Sequence, residues 1–168
     1  IGTGIMGSPM CGHLLAAGNS VSVYTRTRAK AKSVLDAGAV WAETPAAATG
    51  RAEIIFSIVG FPHDVEEIYF GDDGILSGLK PGSVIVDMTT SSPDLAARIA
   101  KAAATVGAGA IDAPVSGGDV GAREATLAIM CGGDSASFSR VKPLLETMGK
   151  TVELMGPAGA GQHTKMAN

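Results

Sequence analysis

A chain of 168 residues is long enough for one domain with a real core, and its 46% hydrophobic content is ordinary for a globular fold. The net charge of −3 provides no electrostatic footprint for nucleic acid or an anionic membrane surface. No apolar run approaches the roughly 20 residues of a membrane-spanning helix, and Cys11 and Cys131 fit neither a metal nor a disulfide pattern. The expectation is a cytoplasmic protein in a reducing compartment, without bound metal, whose partners are small molecules.

The first element is a turn. Gly2-Thr3-Gly4-Ile5-Met6-Gly7 spells Gly-x-Gly-x-x-Gly, which normally follows a β-strand and opens a helix. The first glycine permits the tight turn, the second lets a pyrophosphate approach the backbone, and the third lets helix and strand pack closely. The helix start then offers free N–H groups and a positive dipole end to phosphates. A strand of about 5–6 residues is expected before Gly2, where only Ile1 stands, so the chain reads as entering within its first strand.

Short β-rich runs then alternate with Ala-rich helical segments. Strands are expected at Val21–Tyr24, Glu53–Val59, Ser83–Asp87, Gly109–Asp112, Leu127–Cys131 and Val152–Leu154. Helices are expected at Ile5–Ala17, Arg28–Ala37, His63–Phe70, Pro93–Val106, Ser135–Met148 and Gln162–Asn168. Aromatics make up only 4%, so the core must be mostly Ala, Val, Ile, Leu and Met, and the 23 glycines are turn positions between elements. Continuous apolar strands alternating with helices predict an α/β fold, a Rossmann-type doubly wound and mostly parallel sheet occupying residues 1–168.

Three segments carry chemistry. At the end of the Val21–Tyr24 strand, Thr25-Arg26-Thr27 has no carboxylate to accept the ribose hydroxyls of NAD. Arg26 can instead pair with a 2′-phosphate through its guanidinium fork, with Thr25 and Thr27 beside it, so NADP is the preferred cofactor and NAD the secondary one. Ser116-Gly117-Gly118 follows another strand and offers a hydroxyl and successive backbone N–H groups to a carboxylate. Lys165 and Asn168 lie three apart near the end and share a helix face, with Lys165 able to exchange a proton with an alcohol oxygen.

Taken together, these motifs resemble the β-hydroxyacid dehydrogenase family, which includes 3-hydroxyisobutyrate dehydrogenase, tartronate semialdehyde reductase and glyoxylate/succinic semialdehyde reductases. Gly2–Gly7 looks like the family's Gly-x-Gly-x-Met-Gly, Asp87–Pro93 like its Asp-x-Ser-Thr-x-x-Pro, Asp112–Gly118 like its substrate-binding segment, and Gly161-Gln162-x-x-Lys165 like its catalytic-lysine segment. The resemblance implies cofactor contacts at Gly2, Thr3, Gly4, Ile5, Met6, Gly7, Val59, Gly60 and Asp64, and a nicotinamide-side contact at Thr90. It implies substrate binding at Ser116, Gly117 and Gly118, and catalysis by Lys165. Thr25-Arg26-Thr27 is similar to the Asn-Arg-Thr of NADP-using members.

There are departures. Val59-Gly60 stands where the family often has Leu-Pro, and Asp64 where it often has Asn. The family's catalytic Asn lies four after the lysine, which makes Asn168 its neighbour. A C-terminal all-helical domain, through which family members build homodimers or homotetramers, is absent from these residues. The implied activity is hydride transfer between NADP(H) and a small 3-hydroxy acid or the matching semialdehyde. Two other readings stay open: a non-catalytic dinucleotide-binding module, and an imine reductase of similar fold, a group that typically replaces the lysine.

Overall fold

The computed structural model describes all 168 residues. After the glycine turn comes α1 (Gly7–Ala16), then β1 (Ser22–Val23), a 3₁₀ turn at Arg28–Ala31, α2 (Lys32–Asp36) and β2 (Val40–Trp41). The middle of the chain forms α3 (Pro45–Thr49), β3 (Ile54–Ser57), α4 (Pro62–Phe70), α5 (Ile75–Gly78), β4 (Val84–Asp87) and α6 (Pro93–Thr105). The last third forms β5 (Gly109–Asp112), β6 (Val115–Ser116), α7 (Gly118–Arg123), β7 (Leu127–Gly133), α8 (Ser135–Leu145), β8 (Gly149–Gly156) and α9 (Ala160–Ala167).

The doubly wound α/β sheet is present. β3, β4 and β5 run parallel, with Phe56 opposite Val86 and Val86 opposite Ile111. β7 runs antiparallel to β5, and β8 pairs parallel with β7, so the far edge of the sheet is a reversed pair. β6 continues β5 past Ala113-Pro114 and pairs with β7 at Val115 and Ser116; Pro114 has no N–H for a ladder, and the strand breaks there. All four residues of β4 are buried. Val84 and Val86 face one core with Met10, Leu127 and Ile129, while Ile85 faces the other with Tyr69, Leu95 and Ile99, as the two-residue period of a strand requires. α6 turns Leu95, Ile99 and Ala103 onto the second core, four residues apart on one helical face.

Differences from the expected elements have local causes. The Arg28–Ala37 helix begins as a 3₁₀ turn over Arg28–Ala31, and the α-helical part is only Lys32–Asp36. The last strand is longer than Val152–Leu154 and spans Gly149–Gly156. β2, α3, α5 and α7 are too short for either periodicity to register. Asp134 caps α8 by accepting from Ser137 N at 2.8 Å, and Ser92 caps α6, with Asp94 in its first turn.

β1 and β2 pair only with each other and form a separate two-stranded sheet. Between β1 and β3 lies an apolar slot of about 430 Å³, lined by Met10, Leu14, Val23, Ile55 and Phe56. Ile1 and Gly2 stitch its end. Ile1 N donates to Phe56 O (2.7 Å), Ile58 N to Ile1 O (3.0 Å), and Gly2 N to Tyr24 O (2.8 Å).

Candidate active site

The glycine turn has the geometry its spacing requires. Gly2 sits at φ 89°, and a Cβ there would fall 2.1 Å from Ile58 O. A Cβ on Gly7 would fall 1.8 Å from Gly2 O, so the third glycine is what lets α1 press against the turn. At Gly4 a Cβ would meet nothing within 4 Å. The middle glycine therefore faces open space, where a phosphate could reach the backbone. α1 has no side-chain cap and no acid in its first turn, so its dipole end is uncompensated. Thr3 is buried with its hydroxyl unpartnered, and the half-buried Ser91 has an unpartnered hydroxyl too. Free backbone donors, an open glycine and unpaired hydroxyls fit a dinucleotide; Met6 and Ile5 flank the turn, Ile5 with 78% of its surface exposed.

Arg26 is exposed beyond β1, and its Nη1 lies 2.9 Å from Oδ1 of Asp64, whose side chain is buried. Asp64 Oδ2 also accepts from Phe61 N at 3.0 Å, closing the first turn of α4. The structure thus brings Arg26 and Asp64 together, with Thr25 and Thr27 flanking the arginine in sequence. Val59 N donates to Thr89 Oγ1 at 3.0 Å, so neither group is free, while Gly60 and Thr90 are exposed.

The third cluster joins residues about fifty positions apart. Lys165 Nζ donates to Ser116 Oγ at 2.7 Å, and Ser116 Oγ donates to Asn168 Oδ1 at 2.7 Å. Ser116 ends β6, Lys165 lies in the last turn of α9, and Asn168 caps that helix. Gly117 (φ 130°) and Gly118 (φ 61°) follow Ser116 in conformations that side chains rarely adopt, and both are exposed. A protonated amine, a hydroxyl and an amide in one chain of hydrogen bonds can hold an oxygen anion and hand it a proton.

Two residues whose roles the sequence does not betray hold this cluster. Asp112, at the end of β5, accepts from Gly159 N (2.7 Å) and Gln162 N (2.9 Å) and so anchors the start of α9. Burial pushes its carboxyl up, against the pull of those backbone bonds. Gln162 is fully buried and bonds the Thr89–Ser91 loop. Gly161 makes room for both, since a Cβ there would fall 2.3 Å from Met130 O. The partners of Asp112 and Gln162 are backbone groups, which leave no mark in the sequence.

Beneath the same loop, Asp87 accepts from Ser57 Oγ (3.0 Å) and Thr89 N (3.2 Å), and Ser57 shares a 2.8 Å hydrogen bond with the Tyr69 hydroxyl. Burial raises the Asp87 carboxyl to about 6, opposed by the Thr89 and Ser57 bonds and reinforced by Asp112. The native state therefore holds a proton that the unfolded chain releases near its ordinary value of 3.8. This contribution to stability is complete below the unfolded value and is lost as pH rises through about 6. Asp87→Asn, which cannot ionise, is expected to remove that falling limb. Denaturant melts across the acid range check this; an unchanged pH dependence would sink it.

No group of three or more His, Cys, Asp or Glu side chains is arranged to hold a metal ion. His13 bonds Ala122 O at 2.9 Å, and His63 stacks on Phe61. No helix is long and apolar enough to cross a membrane.

Residues 1–156 match the NAD binding domain of 6-phosphogluconate dehydrogenase. The chain is 46% identical, over all of its length and 57% of the relative's, to 2-hydroxy-3-oxopropionate reductase of Escherichia coli (strain K12). The Mycobacterium tuberculosis 3-hydroxyisobutyrate dehydrogenase structure with L-serine superposes at TM-score 0.93 and 32% identity, covering 99% of this chain and 56% of that one. An imine reductase from Myxococcus stipitatus in complex with NADP+ superposes at TM-score 0.89 and 26% identity, covering 99% and 57%. The chain thus spans little more than half the length of the relatives it matches. With its glycine turn, doubly wound sheet and lysine helix, it belongs to the β-hydroxyacid dehydrogenase family as that family's N-terminal, NAD-binding domain.

Proposed function

We propose that this domain is the cofactor-binding half of an oxidoreductase that moves hydride between NADP(H) and a small 3-hydroxy acid or its semialdehyde. The observation that carries the reading is the hydrogen-bonded set Lys165, Ser116 and Asn168, built from β6 and α9 beside the Thr89–Ser91 loop. A bound nicotinamide would supply or accept the hydride at its ring. The chain's own residues do the rest. Gly2–Gly7 and the start of α1 hold the pyrophosphate, Arg26 the 2′-phosphate, and Val59, Gly60 and Asp64 line the adenosine side. Ser116, Gly117 and Gly118 hold the substrate carboxylate. Lys165 protonates the carbonyl oxygen during reduction and takes the hydroxyl proton during oxidation, with Asn168 helping to orient it. Cofactor choice between NADP and NAD rests on Arg26.

In this reading a helical domain following residue 168 closes the cleft and builds a homodimer or homotetramer, and a strand preceding Ile1 fills the slot between β1 and β3. An imine reductase is the second reading, favoured by the fold shared with the Myxococcus enzyme. The test is a panel assay on the full-length protein, following NADPH oxidation with small semialdehydes and with cyclic imines. Turnover of semialdehydes and not imines is expected; imine turnover alone overturns the proposal.

A further inference from the structure

Gln162 is the one polar side chain of α9 with no exposure at all, and it stands one helical turn before Lys165. Its Nε2 donates to Thr89 O at 2.7 Å, and its Oε1 accepts from Ser91 N at 2.9 Å. The orientation of the carboxamide is dictated by its partners, because a carbonyl can only accept and an N–H can only donate. These two backbone groups bracket Thr90, whose side chain remains exposed. On the helix side, Gln162 N donates to Asp112 Oδ2 at 2.9 Å, which ties the same residue to the end of β5.

We propose that Gln162 is a positioning residue: its carboxamide staples the Thr89–Ser91 loop to the lysine helix and so sets the distance between the hydride and the proton donor. This rests on the reading that Thr90 and Lys165 flank the reacting centre. A single hydrogen bond would leave the loop free to pivot, whereas two bonds in opposite senses from one planar group leave it little rotation. In a fully buried site no water replaces a lost bond, so removing the amide orphans two backbone groups. Hydride transfer needs its reacting atoms held in a near-attack geometry, and a misplacement of about 1 Å can cost about a hundredfold in rate. The adenosine half of the cofactor, which sits on Arg26 and the glycine turn, does not depend on this staple.

The chemistry of the staple gives a signature that packing alone lacks. A protonated glutamic acid has one carbonyl oxygen and one O–H, so it can accept from Ser91 N and donate to Thr89 O as the amide does. An ionised carboxylate can only accept. Gln162→Glu should therefore work at low pH and fail at high pH, with burial keeping the carboxyl protonated above the usual carboxylate range. Gln162→Met keeps the volume and loses both bonds at every pH.

The experiment uses the full-length protein in wild-type, Gln162→Met and Gln162→Glu forms. It measures single-turnover hydride transfer from NADPH to the carbonyl carbon of a small semialdehyde, the deuterium isotope effect on that step, NADPH affinity, and thermal melts. Expected are a fall of about tenfold to a hundredfold in hydride transfer for Gln162→Met, with NADPH affinity nearly unchanged. For Gln162→Glu, a rate near wild type at about pH 5 should fall by a similar factor at about pH 8. If Gln162→Met does not fold, the pH profile of Gln162→Glu decides alone, measured where its melt is cooperative. Folded variants with wild-type hydride-transfer rates at both pH values overturn the inference while leaving the enzyme assignment standing. A wild type inert toward every semialdehyde and hydroxy acid overturns both.

Discussion

Lys165→Ala in the full-length protein is expected to lower turnover by at least about a hundredfold, the scale of a lost general acid. The ammonium donates to Ser116 Oγ at 2.7 Å, and Ser116 passes the chain on to Asn168. No other cationic side chain bonds to that set, so its removal leaves an oxygen anion with neutral donors only. NADPH binding should change little, because neither the glycine turn nor Arg26 bonds to this set. Lys165→Arg sharpens the result: it keeps the charge but does not release a proton near neutral pH, so it should also be slow. Near-normal turnover of either variant would show that Lys165 is only a solvated charge.

Cofactor choice should reverse when Thr25→Asp and Arg26→Ala are combined. A charge-assisted bond to the 2′-phosphate contributes about 1.5–3 kcal/mol, which is roughly a tenfold to hundredfold preference for NADPH. The new carboxylate would repel that phosphate and accept the ribose hydroxyls of NADH instead. The ion pair between Arg26 and Asp64, at 2.9 Å, means that the phosphate competes with a carboxylate already in place. Asp64→Asn should therefore tighten NADPH binding, and it retains an oxygen to accept from Phe61 N. Comparing kcat/KM for the two cofactors is the measurement. Equal efficiencies in the unaltered enzyme would rule out the Arg26 assignment.

Much of the fold was legible from run lengths and turn residues. Runs without a period, such as Ser83–Asp87, read as buried strands by their shortness and the Pro81-Gly82 turn before them, and β4 is buried along its length. The glycine spacing carried its own geometry, down to the open space at Gly4. What stayed hidden has no residue identity to read. Ser116 and Lys165 meet across 49 positions because β6 and α9 converge on β7, and motif likeness could group the two residues without giving their separation. Asp112 and Gln162 act on backbone N–H and carbonyl groups, which every residue type provides. β2 and α3 are shorter than the window in which a helix or strand period shows itself.

The slot beside β1 separates the two sheets. On one side the sheet from β3 to β8 is continuous, and amides such as Met88 N and Ala113 N are locked between neighbouring strands. On the other side β1 and β2 hold Val40 N and Ala42 N by bonds to Val21 and Val23 alone, with Ile1 and Gly2 as the backbone hinge. The 168-residue chain should thus open in two steps, with Val40 and Ala42 exchanging their hydrogens ahead of Met88 and Ala113. β1 with β2 is the compliant leaf of this chain, and the sheet from β3 to β8 the stiff one. A strand laid in the slot would couple the leaves, and the two exchange rates would then converge.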